Sequence, residues 1–257
     1  MNGNVLVTGG AGFIGYHLAK KLADRGYRVV IVDNFSRGTF DSELSDLVKN
    51  PSVQMLDLDL RETRSLENIP TDLDYIVHLA AIIGVQNVVE KPFEVLVANT
   101  RMLENVIQLC RKQKCLPRLL FASTSEVYAG TLKYFHLEVP TPEDSPLTVE
   151  DLSNPRTAYM LSKILGEAMC RNADVPFTVF RPHNIYGPRM GMSHVIPEKL
   201  KQIWEAPLDG EIEVASPTHT RTFCFIDDAT DMLVRIIENK DVSGTTINIG
   251  GEKPEVT

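Results

Sequence analysis

An α/β architecture is predicted, a doubly wound parallel sheet with a smaller C-terminal lobe, and three observations carry it. Apolar runs rich in β-branched residues alternate with helical stretches from residue 4 to 181, the first run ends among glycines, and the rhythm breaks from about Arg181. Asn4–Thr8 is the first such run, and the pattern over Phe13–Asp24 is helical. Arg28–Asp33 reads R-V-V-I-V-D, and further strand-like runs occupy 53–56, 75–79, 118–123 and 177–181. Helical stretches lie between them, notably 93–113 and 157–172. Runs that are apolar at every position belong to strands covered on both faces, and alternation with helices implies parallel order. Right-handed crossovers then wind the sheet twice. Beyond Arg181, Pro and Gly punctuate 182–217 and shorter helices are expected. Residues 1–180 are therefore expected to form the sheet domain, and 181–257 a lobe interleaved with the last strands. A final strand-like run at 245–249 is followed by no closing helix, so the lobe is expected to be short or partial.

Charge and cysteine usage narrow the classes of function. A net charge of −8 argues against nucleic acid, whose phosphates need clustered Lys and Arg. An anionic ligand would have to be held locally, by helix N-termini and placed arginines. Cys110, Cys115, Cys170 and Cys224 show no metal-site spacing and have no companion histidine cluster, so no metal is expected. Reduced thiols of a cytoplasmic protein are the plain reading. No run of about 18 apolar residues is present to span a membrane, and Val5 to Gly15 is needed as strand and loop rather than as a signal peptide.

The first strand runs into Thr8-Gly9-Gly10-Ala11-Gly12-Phe13-Ile14-Gly15. Gly9 permits the tight turn, Gly12 lets backbone approach a pyrophosphate, and Gly15 lets the helix pack on the strand. The N–H groups opening the helix at Phe13 and Ile14 would face the phosphates. A glycine triplet alone is weak, but this one lies between strand and helix, and Asp33 closes the second strand at the required distance. A carboxylate there accepts hydrogen bonds from ribose hydroxyls and repels a 2′-phosphate, so NAD is the expected cofactor of a Rossmann-type domain. Asn34 and Ser36, directly after it, join the expected contacts. Arg37 could pair with a 2′-phosphate, which leaves NADP open.

Tyr159 and Lys163 stand at i and i+4, on one helix face. Spacing proves little, because Tyr16 and Lys20 repeat it in the first helix. Context separates the pairs: the strand before the Tyr159 helix ends in S-T-S-E-V-Y (123–128), and open α/β sheets place chemistry at the carboxyl ends of strands. The chain here resembles the extended short-chain dehydrogenases/reductases of the NAD-dependent nucleotide-sugar epimerase/dehydratase group. The likeness rests on G-G-A-G-F-I-G (9–15), Asp33-Asn34, Asp59-Leu60, H-L-A-A (78–81), Asn99, S-T-S-E-V-Y, Tyr159/Lys163, R-P-H-N-I-Y-G-P-R (181–189) and R-T-F-C-F-I-D-D (221–228), in family order over nearly the whole chain.

The resemblance implies a seven-stranded parallel sheet. It places Asp59 and Leu60 beside the adenine, Leu79, Ala80, Ala81 and Asn99 along the cofactor, and Pro182 near the nicotinamide. Thr124, Glu126, Tyr159 and Lys163 become the catalytic group, with Tyr159 taking the proton of a sugar hydroxyl as its hydride leaves for NAD. A free tyrosine has a pKa near 10, so Lys163 and the positive ring are expected to bring it into range. Asn184, Arg189, His194 and Arg221 would meet a nucleotide-diphosphate sugar. A homodimer through the helices at 93–113 and 157–172 is also implied.

Three outcomes share the 4-keto sugar. A sugar 4-epimerase is the leading expectation, a UDP-glucuronate-type decarboxylase the second and a 4,6-dehydratase the third. Dehydratases of this kind carry T-D-E, and Ser125 replaces the aspartate that protonates the leaving group. T-S-E, Pro155-Arg156 and G-P-R-M (187–190) are similar to UDP-glucuronate decarboxylases, as is Lys133-Tyr134-Phe135 locally, but the stretch 191–195 has no arginine for a carboxylate. Two other readings are a non-catalytic NAD-sensing protein, which would be expected to lose the Tyr/Lys pair, and a simple NADP-dependent carbonyl reductase.

Overall fold

The protein is described here by a computed structural model, which describes residues 2–207, 209–212, 214, 220–251 and 255–256. In chain order the first half comprises β1 (Asn4–Thr8), α1 (Phe13–Asp24), β2 (Arg28–Asp33), α2 (Ser42–Leu47), β3 (Val53–Asp57), β4 (Tyr75–His78), α3 (Val85–Glu90), α4 (Pro92–Arg111) and β5 (Arg118–Ala122). The second comprises α5 (Ala129–Tyr134), α6 (Thr157–Arg171), β6 (Phe177–Pro182), β7 (Ile185–Tyr186), α7 (Val195–Glu205), β8 (Arg221–Thr222), β9 (Cys224–Phe225), α8 (Ile226–Glu238), β10 (Thr246–Ile249) and β11 (Glu255–Val256).

Seven strands form one sheet in the order β10-β6-β5-β4-β1-β2-β3, and every neighbouring pair is parallel. The expected doubly wound sheet is thus present. The direction of winding reverses between β1 and β4, where Thr8 lies opposite His78. Two crossovers leave that point in opposite directions, and the gap between them is where such sheets receive ligands.

Each strand feeds two cores because successive side chains alternate faces. In β1, Val5 and Val7 enter one core and Leu6 the other. The first core is roofed by α1 and α8, through Leu18 and Leu22 with Leu233 and Ile237. The second holds Met102, Leu103 and Val106 of α4 together with Cys170 of α6. Pro92 opens α4 at the one position where a missing N–H costs nothing. Asp227 and Asp228 sit in the first turn of α8, where acidic charge suits the helix dipole.

Beyond residue 181 the helices are shorter than α4 and α6, α7 having 11 residues and α8 13. There α8 roofs the main sheet and β10 pairs with β6, so the second half of that region is interleaved with the first layer. What stands apart is α7 with the β7–β9 and β8–β11 ribbons. Among the described residues no helix is long and apolar enough to cross a membrane, and no group of His, Cys, Asp and Glu could hold a metal ion. Part of the loop 189–220, expected to shape the substrate pocket, lies outside the described residues.

Candidate functional site

The glycine loop shows why those positions carry no side chain. Gly9 has φ +70°, and a Cβ on it would lie 2.9 Å from the Ala80 nitrogen. A Cβ on Gly15 would lie 2.2 Å from the Gly9 oxygen, so α1 could not enter the sheet as it does. Gly12 caps α1 with extended backbone and no side-chain hydrogen bond, which leaves the first N–H groups of the helix to an incoming ligand. Asp33 stands at the end of β2, its carboxylate accepting from Ala11 N (3.0 Å) and Phe35 N (2.9 Å). Burial pushes its pKa up against those backbone hydrogen bonds.

From this loop a cleft of about 1310 Å³ runs over the ends of β1, β4 and β5 to β6 and the second ribbon. That exceeds the usual few hundred to 1,000 Å³ of a single-ligand pocket, and gives room for a dinucleotide beside a second nucleotide. Every site residue expected from the sequence lines it except two. Asp59 turns to Arg61 (Nε 3.0 Å) and Asn34 (3.2 Å), and Arg61 holds its carboxyl low, at about 2. Asn99 lies behind the wall, where it accepts from Ile82 N (2.7 Å) and donates to Ile82 O (3.1 Å) and Ser162 Oγ (3.2 Å). There it shapes the 79–83 segment from below.

The other end of the cleft gathers the β5 and α6 residues. Thr124 ends the strand segment and caps the turn over Ser125–Tyr128 through Glu126 N. It also hydrogen-bonds Tyr159. Lys163, one helical turn on, is buried and donates from Nζ to Ala122 O (2.8 Å), 5.8 Å from the centre of the Tyr159 ring. Burial lowers the Lys163 pKa to about 8. Within the chain the Tyr159 phenol is raised from its ordinary value. Burial and the Glu126 carboxylate push it up, and the Thr124 hydrogen bond and Arg37 only oppose that. Burial raises Glu126 as well, against Arg156. The look-alike Tyr16 is remote from this corner, buried beneath Arg189.

On the substrate side the expected residues separate. Asn184 (φ +42°) donates to Thr222 O (2.9 Å), and Arg221, exposed, donates to Thr220 O (2.7 Å), so both sit on the small ribbons facing the cleft. His194 caps α7, with its pKa lowered by burial and by Arg37. Arg189 is committed elsewhere, to Asp41 and Glu43. Its side chain nonetheless lines the cleft.

Sequence reasoning missed the supports. His78 is buried, bonded through Nδ1 to Thr8 Oγ1 (2.8 Å), and burial takes its pKa down to about 3. A neutral ring accepting there leaves Thr8 Oγ1 to accept from Ala80 N (3.2 Å) and pin the cleft wall. Arg181 donates to Glu167 Oε1 (2.8 Å) and Oε2 (2.7 Å), to Tyr128 Oη (2.5 Å) and to Glu143 O (2.9 Å). Ser123 Oγ adds a bond to Glu167 (2.6 Å), and Tyr128 Oη one to Asn248 (2.9 Å). His183 completes the set at 3.3 Å from Asn248. The signal was the arginine inside an apolar strand run, since a buried charge implies a buried partner.

Comparison with known proteins agrees with this geometry. The model of the NAD dependent epimerase/dehydratase family matches residues 5–250. A UDP-N-acetyl-alpha-D-glucosaminuronate decarboxylase of Bacillus cytotoxicus is 34% identical, over 98% of this chain and 76% of that protein. A putative UDP-glucose 4-epimerase of Methanocaldococcus jannaschii is 32% identical over 72% of this chain and 57% of its own length. Among solved structures, UDP-glucuronic acid 4-epimerase from Bacillus cereus, in complex with UDP-4-deoxy-4-fluoro-glucuronic acid and NAD, superposes with a TM-score of 0.81 at 30% identity. That match covers 98% of this chain and 79% of the other.

Proposed function

The chain belongs to the NAD dependent epimerase/dehydratase family, and from that premise we propose that it oxidises C4 of a UDP-linked sugar and returns the C4 epimer. The observation that carries this reading is the meeting of Thr124, Tyr159 and Lys163 at the far end of a cleft that begins at the glycine loop. The loop fits the pyrophosphate of NAD because no Cβ could stand at Gly9 or Gly15, and Asp33 offers a carboxylate to the ribose at a place where a 2′-phosphate would be repelled.

When bound, NAD supplies a hydride acceptor for C4 and a positive charge beside the phenol. Tyr159 accepts the proton of the C4 hydroxyl, and Thr124, already hydrogen-bonded to the phenol, orients that hydroxyl. Lys163 fixes the geometry by tying α6 to the last carbonyl of β5. Asn184 and Arg221 receive the UDP diphosphate, Arg221 being exposed and, among the described residues, paired with no acid.

Glu126 bears on the pH dependence. Its charge raises the Tyr159 pKa, and turnover that needs the phenolate rises as pH passes that value. Glu126→Gln removes the charge, so the rise in kcat should move to lower pH. A profile that stays in place, or moves up, would take Glu126 out of the phenol's surroundings.

Epimerisation is preferred because, among the described residues, no arginine hydrogen-bonds into the Thr124–Tyr159 corner and Glu126 adds an acid there, which suits a neutral sugar ring. The second reading is decarboxylation of a UDP-linked uronate, favoured by the 34% identical decarboxylase. Incubation with UDP-glucose, UDP-N-acetylglucosamine, UDP-glucuronate and dTDP-glucose decides it. Unchanged mass with altered NMR supports the epimerase, loss of carbon dioxide the decarboxylase, and loss of water a dehydratase. No turnover on any nucleotide sugar would favour an NAD-binding protein without catalysis.

We also infer a homodimer through α4 and α6, whose outer faces expose Phe93, Val97 and Leu165. Light scattering should read twice the 28.7 kDa chain mass, and a monomer would refute the pairing. Work in the cytoplasm fits the four free thiols, and cell fractionation checks it.

A further inference from the structure

We propose that Arg189 is a latch that closes the cofactor end of the cleft, so that NAD is retained between turnovers. The proposal rests on the NAD reading above. Arg189 belongs to the turn after β7, on the substrate side, yet its guanidinium lies across the cleft on the cofactor side. Nη1 donates to Asp41 Oδ2 and to Glu43 Oε2, the latter at 2.9 Å, and the guanidinium carbon stands 4.0 Å from the centre of the Tyr16 ring. Its side chain is only 11% exposed. A second tie runs beside it, from His17 Nε2 to Pro188 O at 3.0 Å. Both Asp41 and Arg189 line the cleft, as does Gly38 between Asp33 and Asp41. The segment after β2 therefore lies against the glycine loop, where a Cβ on Gly38 would come within 2.7 Å of Ala11 Cβ.

Arg189 itself has φ +67°, a conformation that L residues avoid, and Met190 N donates back to Gly187 O at 3.2 Å. Such a backbone persists where surrounding contacts over-determine it, and here those contacts are two carboxylates and an aromatic face. The guanidinium is sheltered while its acids stay open to solvent, Asp41 37% and Glu43 57% exposed, so the hold comes from two charge-assisted hydrogen bonds on one nitrogen together with the cation–π contact of the ring. Asp41 contributes twice, since its other oxygen caps α2 by accepting from Leu44 N at 2.9 Å. The pairing thus joins α1, α2 and the β7 turn around the path by which a dinucleotide would leave. An enzyme that regenerates its cofactor within each cycle has no need to open that path.

The alternative role for the same arginine is a direct contact with the pyrophosphate, and two variants separate the roles. Arg189→Met keeps the aliphatic stem and removes the charge. The double variant Asp41→Asn with Glu43→Gln leaves the arginine but removes its anchors, and Asn still caps α2. Each protein is loaded with NADH and chased with excess NAD, and the loss of NADH fluorescence gives the release rate without any sugar present. If the latch holds, both variants release NADH about tenfold faster than wild type, with melting temperatures that show them folded. Fast release from Arg189→Met alone, with the double variant as slow as wild type, means that the arginine touches the dinucleotide and overturns the latch. Wild-type rates in both variants overturn it too. Failure of the wild type to bind NADH at all would instead sink the cofactor reading, and the latch with it.

Discussion

Tyr159→Phe should lower turnover by about 10²–10⁴, the usual worth of a positioned general base, while NAD binding and the melting temperature remain those of the wild type. The substitution removes one oxygen and keeps the ring that packs at the start of α6. What it takes away is, among the described residues, the one phenol hydrogen-bonded to Thr124 just beyond β5. Burial and Glu126 both disfavour the phenolate inside the chain, so the base is weak until positive charge stands beside it. That makes the rate more dependent on the oxygen, because Lys163, one turn away, is committed to Ala122 O. Lys163→Met would be a poorer test. It leaves the buried Ala122 carbonyl without its partner, which costs about 1–3 kcal/mol and mixes stability with rate. Steady-state kinetics on the identified sugar, with a thermal melt of each protein, measure both quantities. Tyr159→Phe turning over like the wild type would end the proposed mechanism and leave the cofactor site untouched.

Arg181→Met should be the most destabilising single change in the site region, by about 3–5 kcal/mol, the range for breaking a buried ion pair from one side. Arg181 and Glu167 have side chains only 3% and 5% exposed, so the abandoned carboxylate could not recover water. Ser123 would remain as its one hydrogen-bond partner. The loss spreads because the same guanidinium also holds Tyr128 Oη and the Glu143 carbonyl. At about 2–4 °C per kcal/mol for a chain of this size, the melting temperature should fall by roughly 6–20 °C. Differential scanning calorimetry reads this directly, and a fall of less than about 2 °C would show that the pair carries little stability. Glu167→Gln, which can keep a hydrogen bond to Ser123 and to Arg181, should cost less.

The sheet and the cofactor loop were legible in the sequence because their causes are local. A strand covered on both faces must be apolar at every position, so Arg28–Asp33 and Asn4–Thr8 announced themselves, and three glycines between strand and helix have few other uses. Tyr159 and Lys163 were legible because the strand before their helix ends in S-T-S-E-V-Y, which sets them apart from Tyr16 and Lys20 at the same spacing. Arg189 was not, since its partners Asp41 and Glu43 lie nearly 150 positions earlier, and nothing local tells a committed arginine from a waiting one. Asn99 and Asp59 were placed at the cofactor by resemblance, but their side chains point to Ile82 and to Arg61. Two-residue strands such as Ile185–Tyr186 lack any period to detect. The helix Ile226–Glu238 should have been found: its buried positions 226, 229, 230, 233, 234, 236 and 237 follow helical spacing around two aspartates in its first turn.

The contact of α1 with α8 has a consequence for how the chain is made. Lys21 reaches Asp227 across 206 positions, and the same pair of helices is joined by Lys21 with Asp231 and by Arg25 with Glu238. At roughly 5–20 residues per second on a ribosome, α1 waits on the order of 10–40 s for the helix that roofs it. Throughout that interval the helix can dock on β1, yet the side of it that meets α8 stays bare. Contacts this distant slow folding, since the loop must close before they contribute. The newborn N-terminal half is therefore a natural client for a chaperone that shields apolar helix surface, and it is released from that need only when the last quarter of the chain emerges.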